Sequence, residues 1–295
     1  MNASGKVAHR PRRSVLYMPA ANDRALEKAK SLPTDAIIFD LEDAVAPDSK
    51  EVAREKACAA VKDPEYGKRE LVIRVNAMET RWHADDIRAA SAAGPDAILV
   101  PKVSSAAEVH QIEAAVEADG APDHTAIWAM VETPIAMLHA EEIATASRRL
   151  TVLVMGTNDL AKELHAQHVP GRGPLITGLG LCLLAAKSTG TGILDGVYNN
   201  VKDVEGFEAE CLQGRQMGFD GKTLIHPGQV EPCNRAFSPS DTEIEDARLI
   251  LQVWQEALAE GRGVATINGR MIENLHVAEA RRILDIQSAI EALAR

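Results

Sequence analysis

Eight short apolar runs rich in β-branched residues alternate with stretches of helical periodicity, and this alternation predicts an α/β protein. The runs cover residues 14–18, 36–41, 71–75, 97–100, 126–131, 151–155, 192–197 and 222–226. They are almost continuously apolar, as expected for parallel strands that are covered on both faces. Eight strand-then-helix units predict a closed (β/α)₈ barrel, also called a TIM barrel. A doubly wound open sheet is the alternative, because a count of strands does not show closure.

Several of the intervening stretches open on a helix-start signal. Asn22 and Asp48 are candidate N-caps, since their short side chains can accept a bond from the first free amides. Ser105 starts the Ser-x-x-Glu spacing of a capping box. The Thr-Pro pair at residues 133–134 suits a cap followed by proline at the first helical position. These signals support helices between the predicted strands.

The pattern also predicts the limits of three regions. We expect residues 1–12 to be a disordered lead-in and residues 13–260 to form the catalytic barrel. Within the barrel, residues 161–180 are rich in Gly and Pro and predict an enlarged loop. Residues 261–295 predict a C-terminal extension or lid with an amphipathic helix, whose apolar stripe must cover its own barrel or a neighbouring subunit.

Composition excludes several classes of partner. The chain is 46% hydrophobic and 25% charged, the balance of a soluble globular protein. Only 3% of residues are aromatic, which argues against stacking platforms for single-stranded nucleic acid. A net charge of −11 disfavours polyanionic partners, and no apolar run approaches the roughly 18 residues of a membrane span. We therefore expect neither nucleic-acid nor membrane binding.

Cysteine spacing points to a reducing compartment. Cys58, Cys182, Cys211 and Cys233 lie far apart and form no CxxC pair, which predicts neither a zinc site nor a disulfide framework. The first 13 residues are basic but lack the apolar core of a secretory signal. A cytoplasmic location is predicted, with a short mitochondrial presequence as the alternative.

Polar side chains follow the ends of the predicted strands. In chain order they are Tyr17, Asp40, Glu42, Asp43, Arg74, Asn76, Lys102, Glu132, Asn158, Asp159, Asp195 and His226. Barrels of this kind build their active sites from the loops at the C-terminal ends of the strands. We therefore expect these residues to converge on one polar site.

Glu132 and Asp159 are the candidate metal ligands. Several acids around one barrel mouth repel each other unless a cation or a proton lies among them. Oxygen ligands suit a hard divalent ion, and Mg²⁺ commonly takes one or two carboxylates and completes its shell with water and substrate. The alternative is that either acid is a helix N-cap or a first-turn residue.

Arg74 interrupts an apolar strand and requires an anionic partner. Its guanidinium matches a carboxylate, so it can bind a substrate carboxylate, form a structural salt bridge to Asp40 or Glu42, or do both. The acids of residues 40–43 are expected to orient Arg74 and metal-bound waters. Lys102 could form a Schiff base, but beside a metal pair we favour an electrostatic or structural role.

The predicted strand ends carry a set of specific strings. They are RSVLYMPA, FDLEDAVAPDSK, IRVNAMET, ILVPKV, VETPIA, MGTNDLA and GFDGKTLIHPGQV. Together they resemble the citrate lyase β-subunit-like (CitE-like) and malyl-CoA lyase branch of the HpcH/HpaI aldolase superfamily. The resemblance runs from about residue 13 to the C-terminal helix.

The resemblance implies a Mg²⁺-dependent barrel enzyme that forms or cleaves a C–C bond between a CoA thioester and a 2-oxo acid. It implies that Glu132 and Asp159 bind Mg²⁺, that Arg74 contacts the substrate and that Asn158 lies beside the substrate through its backbone. The positions that match a CoA site are Tyr17, Lys28, Ile225 and His226, with Asn22 or Arg24 as further candidates.

The tail departs from the family pattern at one position. Relatives acting on CoA esters carry a G-x-φ-φ-Asp segment (φ apolar) whose aspartate enters a neighbouring subunit. Here the segment reads GRMIEN, which puts Glu273 in place of the aspartate. The resemblance thus implies that Glu273 transfers protons and that the protein is a homo-oligomer, a trimer or hexamer. The extra methylene makes the catalytic assignment of Glu273 less secure than the metal pair.

The expected function is cleavage of a malyl-CoA, methylmalyl-CoA or citramalyl-CoA type of substrate to an acyl-CoA and glyoxylate or pyruvate. The alternatives are a citrate lyase β subunit acting on a carrier-protein thioester, a Mg²⁺-dependent aldolase of free hydroxy-oxo acids, a malyl-CoA thioesterase, and a non-catalytic CoA- or metabolite-binding protein.

Overall fold

The computed structural model describes residues 10–294, and eight parallel strands in it form a closed barrel. The strands are β1 (Ser14–Pro19), β2 (Ala36–Asp40), β3 (Glu70–Arg74), β4 (Ala97–Val100), β5 (Ala126–Val131), β6 (Leu150–Met155), β7 (Gly192–Asp195) and β8 (Gly221–Leu224). Each strand pairs with the next, and β8 returns to β1 with Thr223 opposite Val15. The closure confirms the (β/α)₈ prediction and excludes the open sheet.

Helices follow the strands on the outside of the barrel. They are α1 (Asp23–Lys30), α2 (Lys50–Ala60), α3 (His83–Ala93), α4 (Ala106–Ala118), α5 (Pro134–Leu138), α6 (Ala140–Thr145), α7 (Thr157–Glu163), α8 (Ile176–Thr189), α9 (Val204–Met217) and α10 (Val230–Phe237). Asn22, Ser105 and Thr133 cap their helices as predicted. Asp48 instead lies in a 3₁₀ turn, Pro47–Ser49, so α2 begins later than its predicted cap implies.

The region predicted as an enlarged loop is partly helical. Residues 161–163 still belong to α7, a 3₁₀ turn spans Pro170–Leu175, and α8 begins at Ile176. Gly178 lies inside α8, where an added Cβ would come within 3.1 Å of Met137 Sδ and 3.3 Å of Leu160 Cδ2. The glycine that suggested a loop therefore serves close packing of a helix.

Side chains alternate between two apolar layers along each strand. The interior of the barrel is filled by Val15, Ala36, Ile38, Val72, Ala97, Leu99, Trp128, Met130, Val152, Val154 and Leu194. Their neighbours along the strands, such as Leu16, Phe39, Ile73 and Val131, face the helices. The barrel is thus a packed core, and polar chemistry is displaced to its ends.

A second compact unit begins at Ser238. It contains α11 (Asp241–Ala259), a hairpin of β9 (Ala265–Ile267) and β10 (Arg270–Ile272), and α12 (Asn274–Ala294). The hairpin turns through Asn268 and Gly269, both at positive φ, as two-residue hairpin loops require. Trp254, Ala257, Ala265, Ile272 and Val277 form its small core.

Contacts group Arg12–Phe237 as one unit and place α11 with the hairpin and α12. A contact boundary is not a functional one, so the domain limits after residues 12 and 260 stay predictions. Residues 1–9 of the predicted lead-in lie outside the described residues. Within residues 10–294, no helix combines the length and apolar character of a membrane crossing.

Candidate active site

The predicted site residues Arg74, Glu132 and Asp159 lie at the end of the barrel where the strands finish, which we call the mouth. Arg74 is the last residue of β3, Glu132 follows β5, and Asp159 lies in the first turn of α7, just after β6. Thr133, not Glu132, caps α5 through a bond from the amide of Ala136. Glu132 is therefore not needed as a helix cap.

Glu132 is 2% exposed, and its two carboxylate oxygens have different surroundings. Oε1 accepts a 2.8 Å hydrogen bond from the backbone amide of Lys102, which has a left-handed φ of 58°. Among the described residues, Oε2 accepts no hydrogen bond. An amide that fixes one oxygen while the other stays open suits a metal-binding carboxylate.

Gly156 makes the space that Glu132 occupies, and sequence reasoning missed it. A Cβ at Gly156 would lie 2.2 Å from Glu132 Oε2 and 2.3 Å from Glu132 Cβ, closer than any real contact. The backbone amide of Gly156 bonds the carbonyl of Val131, so this backbone cannot easily withdraw. The signal in the sequence is the glycine directly after the apolar run of β6.

The pKa of Glu132 is raised, both by burial and by other acids nearby. Burial raises its pKa to about 8, and the charges of Asp159 and Glu42 add to this, while the Lys102 amide and Arg74 oppose it. The same acids, Asp159 first, raise the pKa of Lys102 against the effect of its partial burial. Glu42, Glu132 and Asp159, which come from three different segments, are thus close enough to affect the same ionisable groups.

Arg74 forms the structural salt bridge that was one of its two predicted roles. Its Nε and Nη2 donate to the two oxygens of Asp40 at 2.6 and 2.8 Å. Nη1 lies 2.8 Å from Glu42 Oε2 and 3.4 Å from Asp43 Oδ2. The guanidinium carbon lies 4.7 Å from the centre of the Tyr17 ring, within range of a cation–π contact. Arg74 is therefore held firmly, by short bonds from Nε and Nη2 to Asp40, while Nη1 donates a long bond to Asp43 and lies beside Glu42.

The pKa values of Asp40 and Glu42, which both contact Arg74, are shifted in opposite directions. Burial alone would raise the pKa of Asp40, but Arg74 and the amides of Glu42 and Ala44 hold it below its ordinary value. Burial raises the pKa of Glu42 to about 7, with Arg74 opposing and Asp43 reinforcing the shift. Glu42 Oε2 is buried and poorly aligned for a hydrogen bond despite its short distance to Arg74.

Asn158 is exposed at the mouth and pairs with a residue that the sequence did not suggest. Its amide exchanges two hydrogen bonds with that of Asn199, at 3.1 and 2.7 Å. The pair joins the first turn of α7 to the loop after β7, and Asn158 is next to Asp159 in sequence. It also gives Asn158 side-chain contacts, although the expected contact with a substrate was through the backbone.

The four predicted CoA-site residues belong to two adjacent strands and the segments after them: Tyr17 lies within β1 and Lys28 on the helix that follows, whereas Ile225 and His226 come directly after β8. Lys28 is exposed on α1, in a surface concavity that is also lined by Asp23, Arg24, Glu27 and Ser31. Ile225 is 41% exposed, and His226 Nδ1 accepts a bond from the amide of Gly228. Tyr17, in contrast, lies beside Arg74, and burial raises the pKa of its hydroxyl.

Asp195 does not join the mouth, contrary to the expectation that all strand-end polar residues converge. It is fully buried, accepts two bonds from Arg172 Nη1 at 2.6 and 2.9 Å, and lies 3.1 Å from Lys222 Nζ. Lys222 also bonds Glu210 on α9. A Cβ at Gly214 of α9 would come within 2.8 Å of Asp195, so this acid faces the helices.

Glu273 lies in the second unit, between β10 and α12. Its side chain is exposed, and its backbone amide donates to His276 Nδ1 at 3.1 Å. The GRMIEN segment therefore forms the second hairpin strand and the start of α12. The proton-transfer role of Glu273 stays a prediction.

The residues at the mouth fit a magnesium ion. Within residues 10–294 no group of three or more His, Cys, Asp or Glu side chains is arranged to hold a metal. Glu132, with an open Oε2, and Asp159 supply two oxygen donors, the number that Mg²⁺ often takes from a protein. A divalent ion there would also relieve the repulsion from Asp159 and Glu42, which adds to the effect of burial on the pKa of Glu132.

Two family models match the chain. HpcH/HpaI aldolase/citrate lyase matches residues 13–227, and a C–C bond lyase of the TIM-barrel fold matches residues 173–289. A (3S)-malyl-CoA thioesterase of Cereibacter sphaeroides (strain ATCC 17025 / ATH 2.4.3) is 53% identical over 282 residues, covering 96% of both chains. The citrate lyase subunit β of Escherichia coli (strain K12) is 34% identical over 280 residues, covering 93% of both.

A solved structure shows similarity of fold over nearly the same length. CitE from Mycobacterium tuberculosis, in complex with magnesium, acetoacetate and coenzyme A, is 29% identical. It matches 95% of this chain and 99% of its own, with a TM-score of 0.76. The match therefore includes both the barrel and the second unit. The protein belongs to the HpcH/HpaI aldolase/citrate lyase family, in the CitE-like and malyl-CoA lyase branch that its strand-end motifs predicted.

Proposed function

We propose that the protein is a Mg²⁺-dependent enzyme that hydrolyses the thioester of (3S)-malyl-CoA or a similar 3-hydroxy-carboxyacyl-CoA. The observation that carries this proposal is the 53% identity to a (3S)-malyl-CoA thioesterase over 96% of both chains. The identity to the citrate lyase β subunit is lower, at 34%. The higher identity to the thioesterase moves C–C cleavage, which the sequence alone put first, to second place. C–C cleavage stays a candidate because the family models name aldolases and lyases.

Glu132 and Asp159 are the residues proposed to hold Mg²⁺. When bound, the ion would supply a positive centre for the carboxylate and hydroxyl oxygens of the substrate. The amide of Lys102 fixes Glu132 by one oxygen, which leaves Oε2 to face the ion. The Mg²⁺ in the M. tuberculosis CitE complex supports this cofactor.

Arg74 is proposed to stabilise negative charge on the thioester oxygen. Asp40 occupies one side of the guanidinium through short bonds, so a substrate would meet the Nη1 edge, where it would compete with the longer contact to Asp43 and the ion pair with Glu42. Charge stabilisation is strongest in a buried site with fixed dipoles, and Arg74 is 6% exposed. Hydrolysis develops this charge on a tetrahedral oxyanion and C–C cleavage on an enolate, so Arg74 serves either reaction.

The two reactions differ in where a proton moves. In hydrolysis, water adds to the thioester carbonyl and loses a proton to a base; the C–S bond then breaks, and CoA leaves as the thiol. In C–C cleavage, a base takes the hydroxyl proton, the C–C bond breaks to release the 2-oxo acid, and an acid then protonates the α-carbon of the thioester enolate that remains. Glu273 is the proposed proton carrier in both cases, on the basis of the tail motif.

Three other readings predict different substrates. A carrier-protein thioester would replace CoA if the chain works as a citrate lyase β subunit. An aldolase of free hydroxy-oxo acids would not need Lys28 or the tail, and a binding protein would release no product. The CoA in the M. tuberculosis complex supports a CoA ester, as does the exposed position of Lys28, Ile225 and His226 after adjacent strands.

One assay with two product measurements tests the proposal. Purified protein is incubated with (3S)-malyl-CoA, methylmalyl-CoA or citramalyl-CoA, with Mg²⁺ or with EDTA. Free thiol and 2-oxo acid are measured in parallel. Thiol release with no oxo acid, lost in EDTA, is the expected result. Release of glyoxylate or pyruvate with the thioester intact would establish the lyase instead, and neither product would contradict both candidates.

We further propose a cytoplasmic homo-oligomer, a trimer or hexamer. The location is supported by the cysteine spacing. The oligomer is supported by the tail motif. Size-exclusion chromatography with light scattering measures the subunit number, and a monomer would contradict this part of the proposal.

A further inference from the structure

Lys50, at the start of α2, is a buried cation whose partners are backbone carbonyls. The residue is 6% exposed, and its Nζ donates to the carbonyl of Leu41 at 2.8 Å and of Glu42 at 2.7 Å. Nζ also lies 5.3 Å from the centre of the Trp82 ring. It forms no ion pair with any described carboxylate. Buried lysines are normally paired with an acid, so this arrangement needs an explanation.

The two carbonyls belong to the turn 40–43, which holds Arg74. Asp40, Glu42 and Asp43 of this turn all contact the guanidinium. The amide of Val45 also donates to the Glu42 carbonyl, whereas Lys50 is the donor to that of Leu41. Without Lys50, the Leu41 carbonyl would be buried beside acids and without a donor, at a cost of about 1–3 kcal/mol.

Charge balance also connects Lys50 to the turn 40–43. The turn brings three carboxylates to one guanidinium, which leaves an excess of negative charge next to Glu132. Burial lowers the pKa of Lys50, while Asp40 and Glu42 oppose that shift, so its charge is tied to the turn. The contact with Trp82 adds an anchor on the loop between β3 and α3.

We propose that Lys50 is a positioning residue that fixes the turn 40–43 and, through it, the orientation of Arg74. Lys50 does not touch the substrate itself. It acts by holding the two peptide carbonyls, so that Asp40 and Glu42 present their oxygens to the guanidinium in one geometry. Only the kinetic part of the test below rests on the proposed function.

Hydrogen exchange measures the proposed role without any reaction. The variant is Lys50→Met, and the matched control is Lys56→Met. Lys56 lies on the same helix and donates to another carbonyl, that of Ala21, at 3.3 Å. We expect peptides covering residues 41–46 to exchange about tenfold faster in Lys50→Met and unchanged in Lys56→Met. Unchanged exchange in Lys50→Met would overturn the proposal.

Kinetics separates positioning from a general loss of structure. Lys50→Met should lower kcat about tenfold or more, since a misplacement near 1 Å can cost about a hundredfold and a smaller shift of Arg74 is expected here, while the Mg²⁺ concentration for half-maximal rate stays within about twofold. An unchanged kcat would contradict the role in positioning Arg74. Inactive wild-type protein would instead refute the proposed function, and the exchange result would still decide on Lys50.

A second variant covers the case in which Lys50→Met does not fold. Lys50→Gln keeps amide N–H donors for a carbonyl but removes the charge and shortens the side chain, which weakens its hold on the two carbonyls. It should speed exchange of residues 41–46 by about threefold, and unchanged exchange in this variant would likewise overturn the proposal.

Discussion

The guanidinium of Arg74 is bonded along one side by Asp40 and lies over Tyr17, so its orientation is set before any ligand arrives. Bidentate geometry of this kind depends on a planar fork. An ammonium carries the same charge but concentrates it at one point. At the scale of a single residue, shape is therefore expected to matter as much as charge.

We predict that Arg74→Lys is nearly as damaging as Arg74→Ala. Lysine cannot satisfy both oxygens of Asp40 and still present a second donor at the Nη1 position. Steady-state kinetics of both variants with the substrate identified above gives the comparison of kcat/KM. Lysine kinetics close to wild type would mean that Arg74 supplies a diffuse charge only.

Glu132 predicts a pH dependence of stability in metal-free protein. Its folded pKa of about 8 lies above the ordinary value of 4.5. A raised acid pKa stabilises the fold fully below about pH 4.5, and this contribution is lost as pH rises toward 8. The Tm of wild-type protein in EDTA should therefore fall from pH 5 to pH 8 more steeply than that of Glu132→Gln. Parallel curves for the two proteins would show that the pKa of Glu132 is not raised in the folded protein.

At the scale of elements, the junction of β6 and α7 is shaped around the acid that follows β5. Gly156 leaves room for Glu132, and Gly156 has a negative φ of −96°, so sterics and not backbone conformation exclude a larger residue. The junction also begins the helix that carries Asp159. A change at Gly156 should therefore disturb both predicted metal ligands.

We predict that Gly156→Ala lowers Mg²⁺-dependent activity by about a hundredfold or more, since it must displace Glu132 by an ångström or more. Gly173→Ala is the control, because nothing lies within 4 Å of a Cβ there. Activity and Tm are compared for both variants. Full activity in Gly156→Ala would show that the position of Glu132 is not critical.

Strand parity explains which expectations held and which failed. The sequence predicted the number and order of strands, because buried parallel strands have a strong apolar signal. Arg74 is two residues from Val72, which faces the barrel interior, and Glu132 is two from Met130. Asp195 follows Leu194, which faces inward, so its own side chain points to the helices. Which face a run presents requires the closed register, and strand ends alone do not provide it.

Other site features depend on contacts between distant residues. Gly156 packs against Glu132 and Asn199 bonds Asn158, both on distant segments, and Lys50 bonds the carbonyls of Leu41 and Glu42 across a shorter separation. None of them has a distinctive residue type for its task. The glycine after β6 was a local signal, but the partners of these three residues could not be derived from local pattern, whereas carboxylates at strand ends could be recognised directly.

At the scale of the whole molecule, the tail unit places Glu273 among exposed apolar side chains. Met271 is 55% and Leu275 64% exposed, on either side of Glu273. Along α12, a stripe with helical period includes Ile283, Leu284, Ile286, Ile290 and Leu293. These surfaces are consistent with the expectation that the tail packs against a neighbouring subunit.

We predict that two inactive variants complement each other. Glu132→Gln lacks a proposed metal ligand and Glu273→Ala lacks the proposed proton carrier. After subunit exchange, mixed oligomers would contain some sites with an intact metal pair and an intact tail, and activity should return in part. Mass spectrometry verifies the mixing. Mixed oligomers without activity would mean that the tail serves its own barrel or that Glu273 is not catalytic.

The buried group of Arg172, Asp195, Lys222 and Glu210 has a consequence for how this scaffold can change. Its two cations and two anions compensate each other behind β7 and β8. Removing one charge leaves another buried without its compensating partner, whereas replacing the whole set by apolar residues of similar volume is often tolerated. Natural drift and single-site libraries should therefore leave these four positions fixed, and a redesign that exchanges them together opens a route that stepwise selection does not reach.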